Sequence, residues 1–99
     1  MSKAVRLRSA ILEQLSAVID PETGADVVRM RLIENLQVEA DGKVAYTIRP
    51  SSPLCPIAAF LAVHIKLAVA RVPGVKSQRI TVKDYVGAEQ LTALINQES

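Results

Sequence analysis

The segment Ser51-Ser52-Pro53-Leu54-Cys55-Pro56 holds the single cysteine of the chain, with two hydroxyls close by. A thiolate is both a nucleophile and a metal ligand, and a thiol ionises more readily at a helix N-terminus. Proline suits the first position of a helix, where its missing N–H costs nothing. With Pro56 in that position, Cys55 takes the cap, near unpaired backbone N–H groups and the positive end of the helix. Pro53 and Pro56 stiffen the turn around it. Ser51 and Ser52 supply hydroxyls that can donate to a thiolate or bridge a water. The alternative reading of Cys55 is a small buried hydrophobe, a common state of free cysteine.

Two carboxylates flank a proline in Asp20-Pro21-Glu22. They read either as solvated acids at a helix stop or as a base or hard ligand brought near the thiol by the fold. The single histidine, His64, lies about two and a half helical turns beyond Cys55. The two side chains cannot meet within one helix, so His64 reads as a boundary residue rather than a catalytic partner. Arg29, Arg31 and Arg49 are expected near one end of a sheet. They form either a solvated rim or a contact for an acidic partner or thiolate.

Composition removes several other chemistries. The chain has 99 residues, of which 49% are apolar and 22% charged, with a net charge of +2. One cysteine makes no intrachain disulfide, and one Cys with one His makes no structural zinc site. A small net charge with only Phe60, Tyr46 and Tyr85 as aromatics is a poor footprint for nucleic acid. The segment Met1 to Ser9 carries Lys3, Arg6 and Arg8 and no long apolar run, so a reducing, cytoplasmic setting is expected.

The elements that must hold these groups follow from periodicity. Leu7, Ile11, Leu15 and Val18 predict a helix over Val5–Ile19, stopped by Pro21. Leu32–Val38 and Lys43–Ile48 read as strands, the second with Val44, Tyr46 and Ile48 on one face. Asp41-Gly42 between them is a hairpin signal. Pro56–Val72 reads as a central helix with Leu61, Ile65, Ala68 and Val72 as its apolar stripe, ended by Pro73-Gly74. It falls short of the roughly 20 apolar residues of a membrane span, and His64 and Lys66 interrupt it. Its other face, with Ala59, Val63 and Ala70, is apolar enough to predict a second contact, either the last helix or another subunit. A strand over Arg79–Lys83 and a helix over Ala88–Asn96, with Leu91, Leu94 and Ile95 inward, complete the chain. The expectation is an α+β fold, a small two-layer sandwich in the order α-β-β-α-β-α with about three strands.

These motifs, taken together, resemble the iron–sulfur cluster assembly domain family, which includes PaaD-like and SufT-like proteins. The same domain opens some cluster-carrier ATPases. The resemblance covers about Ile11 to Val82. It rests on Asp20-Pro21-Glu22, the Met30-Arg31-Leu32-Ile33 element, Asp41-Gly42, Ser51 to Pro56, and Pro73-Gly74-Val75. Arg31 stands where the family usually has glycine, Ser51 where it has threonine, and Leu54 where glycine precedes the cysteine. With one cysteine, the zinc site of PaaD proteins does not carry over.

The resemblance implies a single assembly domain over residues 1–99 and an accessory role in iron–sulfur protein biogenesis rather than an enzyme. It implies Cys55 as the cluster-handling residue, with Asp20, Glu22, Ser51 and Ser52 around it, and iron–sulfur apoproteins or other assembly factors as partners. Arg31 and Arg49 are the candidate partner contacts. One chain offers one thiolate and a homodimer two, whereas a cluster takes four ligands. A transient cluster completed by partner ligands is therefore expected, not one tightly bound by one chain. The competing readings are a protein–protein adaptor without cluster chemistry and, behind it, a thiol enzyme using Cys55.

Overall fold

The computed structural model describes residues 2–97. Its elements run α1 (Lys3–Leu15), β1 (Ile33–Val38), β2 (Lys43–Ile48), α2 (Ala58–Ala70), β3 (Ser77–Val82) and α3 (Ala88–Ile95), the expected α-β-β-α-β-α order. The strands form one sheet in the order β1-β2-β3. The β1–β2 pair is antiparallel and the β2–β3 pair parallel. A parallel neighbour needs a crossover, and α2 supplies it.

Central strand β2 sets the inside and outside of the sheet. Val44, Tyr46 and Ile48 are buried, as their alternation predicts. In register beside them, Ile80 pairs with Tyr46 and Val82 with Ile48, so β3 turns its apolar face the same way. Leu7, Ile11 and Leu15 of α1 and Leu61, Ile65, Ala68 and Val69 of α2 close over this face, together with Leu91 and Ile95 of α3. With so few aromatics the core is aliphatic, each large buried side chain contributing about 1.5–3 kcal/mol.

Buried polar groups are tied in rather than excluded. The Tyr46 hydroxyl donates to Gln78 Oε1 at 2.7 Å, and Gln78 Nε2 donates to the Lys66 carbonyl at 3.0 Å. Burial pushes the Tyr46 phenol above its ordinary value of 10.0. At the outer edge of β3, Val82 N–H donates to Thr92 Oγ1 at 2.9 Å, so α3 serves an edge that would otherwise be open.

Several element boundaries and one side-chain orientation differ from the sequence expectation. Helix α1 ends at Leu15 rather than Ile19. Ser16 Oγ donates to the Glu13 carbonyl at 2.7 Å, Ala17 and Val18 close tighter three-residue hydrogen bonds, and Ile19 bridges to Asp26 instead. Helix α2 starts at Ala58, because Pro56 and Ile57 lie in a turn; Ile57 is its cap residue and Cys55 is not. In α3, Leu91 and Ile95 turn inward as expected, but Leu94 is exposed.

The predicted stripe of α2, Leu61, Ile65, Ala68 and Val72, is buried throughout. Its other face is open: Ala59, Val63 and Ala70 are exposed, and Phe60 and Leu67 beside them are about half exposed. No helix is long and apolar enough to cross a membrane among the described residues.

Candidate functional site

The predicted site residues divide into two groups. Arg31, Arg49 and Ser51 come together, lining an open groove of about 440 Å³ with Met30, Leu32, Pro50, Pro53 and Asp84. Backbone hydrogen bonds assemble it from distant segments. Arg49 N–H donates to the Leu32 carbonyl at 2.8 Å, which carries β1's lead-in against the exit of β2. Lys83 N–H donates to Ile48 at 3.1 Å and Val86 N–H to Pro53 at 3.0 Å, which draw in the segment after β3.

Charge in this region is unevenly satisfied. Glu34 pairs with Lys83 Nζ at 2.7 Å and with Arg49 Nε at 3.2 Å. The Lys83 hydrogen bond, with the Lys83 and Arg49 charges behind it, holds the Glu34 carboxyl below its ordinary value of 4.5 against an opposing desolvation effect. Arg31 has no acidic group within ion-pair distance among the described residues. Its backbone is left-handed, with φ of 59°, and so is that of Asp84, with φ of 54°. Aspartate adopts this region readily; arginine does so at a cost of about 1–2 kcal/mol. Asp84 is the groove residue that sequence reasoning missed. Its only advance signal was an acid just past the third predicted strand.

The remaining candidates do not line this groove. Cys55 is 3% exposed and packs in the apolar core. Its N–H donates to the Ser52 carbonyl at 3.1 Å, while Leu54 N–H donates to Ser52 Oγ at 3.2 Å. Ser52 thus shapes the turn, turning Leu54 to solvent and Cys55 inward. No hydrogen bond joins the Cys55 sulfur to Asp20, Glu22, Ser51 or Ser52 among the described residues, and Cys55 is not among the groove-lining residues.

Asp20 is buried and used locally. Its Oδ1 accepts from Glu22 N–H at 2.8 Å, its N–H donates to Ala25 at 2.9 Å, and its carbonyl accepts from Gly24 at 2.8 Å. These bonds fold the loop over Pro21 and leave Glu22 exposed. His64 is exposed too, its ring 4.2 Å from that of Phe60. No group of three or more His, Cys, Asp or Glu side chains is arranged to hold a metal ion among the described residues.

Against known proteins, the family model described as "Iron-sulfur cluster assembly protein" matches residues 8–82. The chain belongs to this family. An "Fe-S protein maturation auxiliary factor" of Porphyromonas gingivalis is 39% identical, over 85% of this chain and 87% of that protein. The Bacillus subtilis "Fe-S protein maturation auxiliary factor YitW" is 32% identical over 77% of this chain and 74% of its own length. An "Iron-sulfur cluster carrier protein" of Mycobacterium leprae is 30% identical over 92% of this chain, which spans only 24% of that longer protein. Among solved structures, a "Domain of Unknown Function DUF59" from Bacillus anthracis superposes with a TM-score of 0.73 at 26% identity, covering 81% of this chain and 76% of that one. The resemblance drawn from five short motifs is therefore a family relationship, and the family's fold is the one observed. The backbone at position 31 is one that glycine takes freely, whereas this chain holds an arginine there.

Proposed function

We propose that this protein is an accessory factor of iron–sulfur protein maturation that acts by contact with apoproteins or other assembly factors. Its similarity to maturation auxiliary factors over 74% and 87% of their lengths carries this reading. The relatives' names describe maturation factors and carriers, which accords with a non-enzymatic role. A cluster, where one is involved, is cargo rather than a resident cofactor: one thiol per chain supplies one of the four ligands it takes. The burial of Cys55 favours the adaptor form of this function, because a cysteine buried in the apolar core is not presented to iron.

A second reading, transient cluster transfer through Cys55, draws support from the loop that carries it. Residues 51–54 and Pro56 are exposed, so a local opening around Cys55 exposes the thiol without dismantling the sheet. The two readings separate experimentally. Capture of a defined iron–sulfur apoprotein by wild type and Cys55→Ala alike is the expected result for an adaptor. Anaerobic reconstitution with iron and sulfide then compares their visible absorption. A cluster spectrum in wild type that disappears in both Cys55→Ala and Cys55→Ser, each still folded at the assay temperature, replaces the adaptor by the carrier reading. Failure to capture any apoprotein and to form a cluster overturns both.

A further inference from the structure

We propose that Arg31 is a recognition residue for an acidic peptide segment of a client protein, docked in the groove between β1's lead-in, the exit of β2 and Asp84. This rests on the maturation reading for the identity of the client, but the recognition chemistry is read from the groove itself.

The cations at this end of the sheet differ in how they are used. Arg49 and Lys83 are both engaged by Glu34. Arg31 is exposed, lines the groove and has no carboxylate partner among the described residues. Across the cluster, Arg31, Arg49 and Lys83 face Glu34 and Asp84, which leaves an excess of positive charge beside an open groove. A guanidinium presents a planar fork of donors that takes a carboxylate with two parallel hydrogen bonds.

The backbone supplies an independent argument. Position 31 is left-handed, a conformation that glycine reaches freely and asparagine tolerates. An arginine there costs stability and makes no ion pair that offsets it. Strained positions that the rest of the fold holds in place concentrate where a side chain is needed for binding. Pro50 and Pro53 give the groove stiff walls, so little ordering is required when an extended segment enters. The segment that fits carries an Asp or Glu for Arg31. Asp84 in the same groove suits a backbone N–H of that segment and disfavours an unbroken run of acids.

Fluorescence anisotropy with two short labelled peptides tests this. One has a single central Glu in an Ala/Gly background, and its control has Gln there. Wild type is expected to prefer the Glu peptide by about tenfold, as a hydrogen bond to a charged group warrants. That preference is expected to fall with added salt. Arg31→Gly should abolish it while leaving the melting temperature unchanged or higher, and Arg31→Lys should retain part of it. A wild type without preference, or an Arg31→Gly protein that keeps it, overturns the proposal. If the preference exists and depends on Arg31 but no apoprotein is captured, the maturation reading fails and the acidic-peptide site stands.

Discussion

The Asn96 side chain pairs with both backbone groups of Ile80, accepting from its N–H at 2.9 Å and donating to its carbonyl at 2.6 Å. A side chain from the end of α3 thus stands in for the missing fourth strand beside β3. Replacing it with alanine leaves an N–H and a carbonyl at the sheet edge with water as their only partner, and loosens α3. Asn96→Ala is expected to cost about 1–3 kcal/mol, read from urea unfolding. Asn96→Asp keeps the acceptor for Ile80 N–H but sets a carboxylate against the Ile80 carbonyl, so it should recover little of the loss.

Gly42 and Gly74 meet where the β1–β2 turn touches the turn after α2. Gly42 has φ of 101°, and a Cβ there would run into the Gly74 carbonyl oxygen and crowd Lys76. Both the left-handed backbone and the contact oppose any side chain. Gly42→Ala should destabilise by about 2–4 kcal/mol, visible as a fall in melting temperature. Gly24 also has a positive φ, of 74°, but its Cβ would meet nothing within 4 Å. Gly24→Ala is therefore expected to cost only the conformational part, about 1–2 kcal/mol. Equal losses at the two sites would show that the Gly42–Gly74 approach is unimportant.

Much of this architecture was legible because alternation and punctuation are local. Val44, Tyr46 and Ile48 declared the inner face of β2, and Asp41-Gly42 declared the hairpin. Asn35 was not legible as the site of a bulge. The register slips between Glu34 and Gln37, Asn35 turns left-handed, and Arg8 donates to the freed Leu36 carbonyl at 2.7 Å. That stabilisation comes from a helix 28 positions away in sequence. The site was half legible for the same reason. Spacing hinted that Arg31 and Arg49 share an end of the sheet, since one lies just before β1 and the other just after β2, and these strands pair antiparallel. Whether Cys55 faces solvent or core depends on how Ser52 turns the chain before α2, and a proline pair fits either direction.

Glu34 predicts a specific acid sensitivity. Its carboxyl is held below 4.5 by Lys83 first and Arg49 after it. A carboxyl depressed in the folded state contributes stability that is fully present above its unfolded value. That contribution is lost as pH falls through the folded value. Wild type should therefore lose stability below about pH 4.5 more steeply than Glu34→Gln, with the two curves parallel at neutral pH. Because the group is only half-buried, added salt should shrink the difference. Parallel curves across the whole range would mean that Lys83 and Arg49 do not hold this carboxylate in solution.

Cys55 gives the prediction that bears most on function. At 3% exposure its thiol reacts with an alkylating reagent only after local opening. An opening that costs about 3 kcal/mol slows labelling about a hundredfold relative to the unfolded chain. Native protein is thus expected to label at least that much more slowly than protein in urea. Cys55→Ala removes one buried sulfur and should cost about 1 kcal/mol. Cys55→Ser places a hydroxyl among apolar side chains and should cost more, about 1–3 kcal/mol. If labelling becomes fast on adding an apoprotein, client docking opens the loop and the thiol becomes available as a transient ligand. If it stays slow with client bound, Cys55 holds the loop in place and the contact surface alone carries the function.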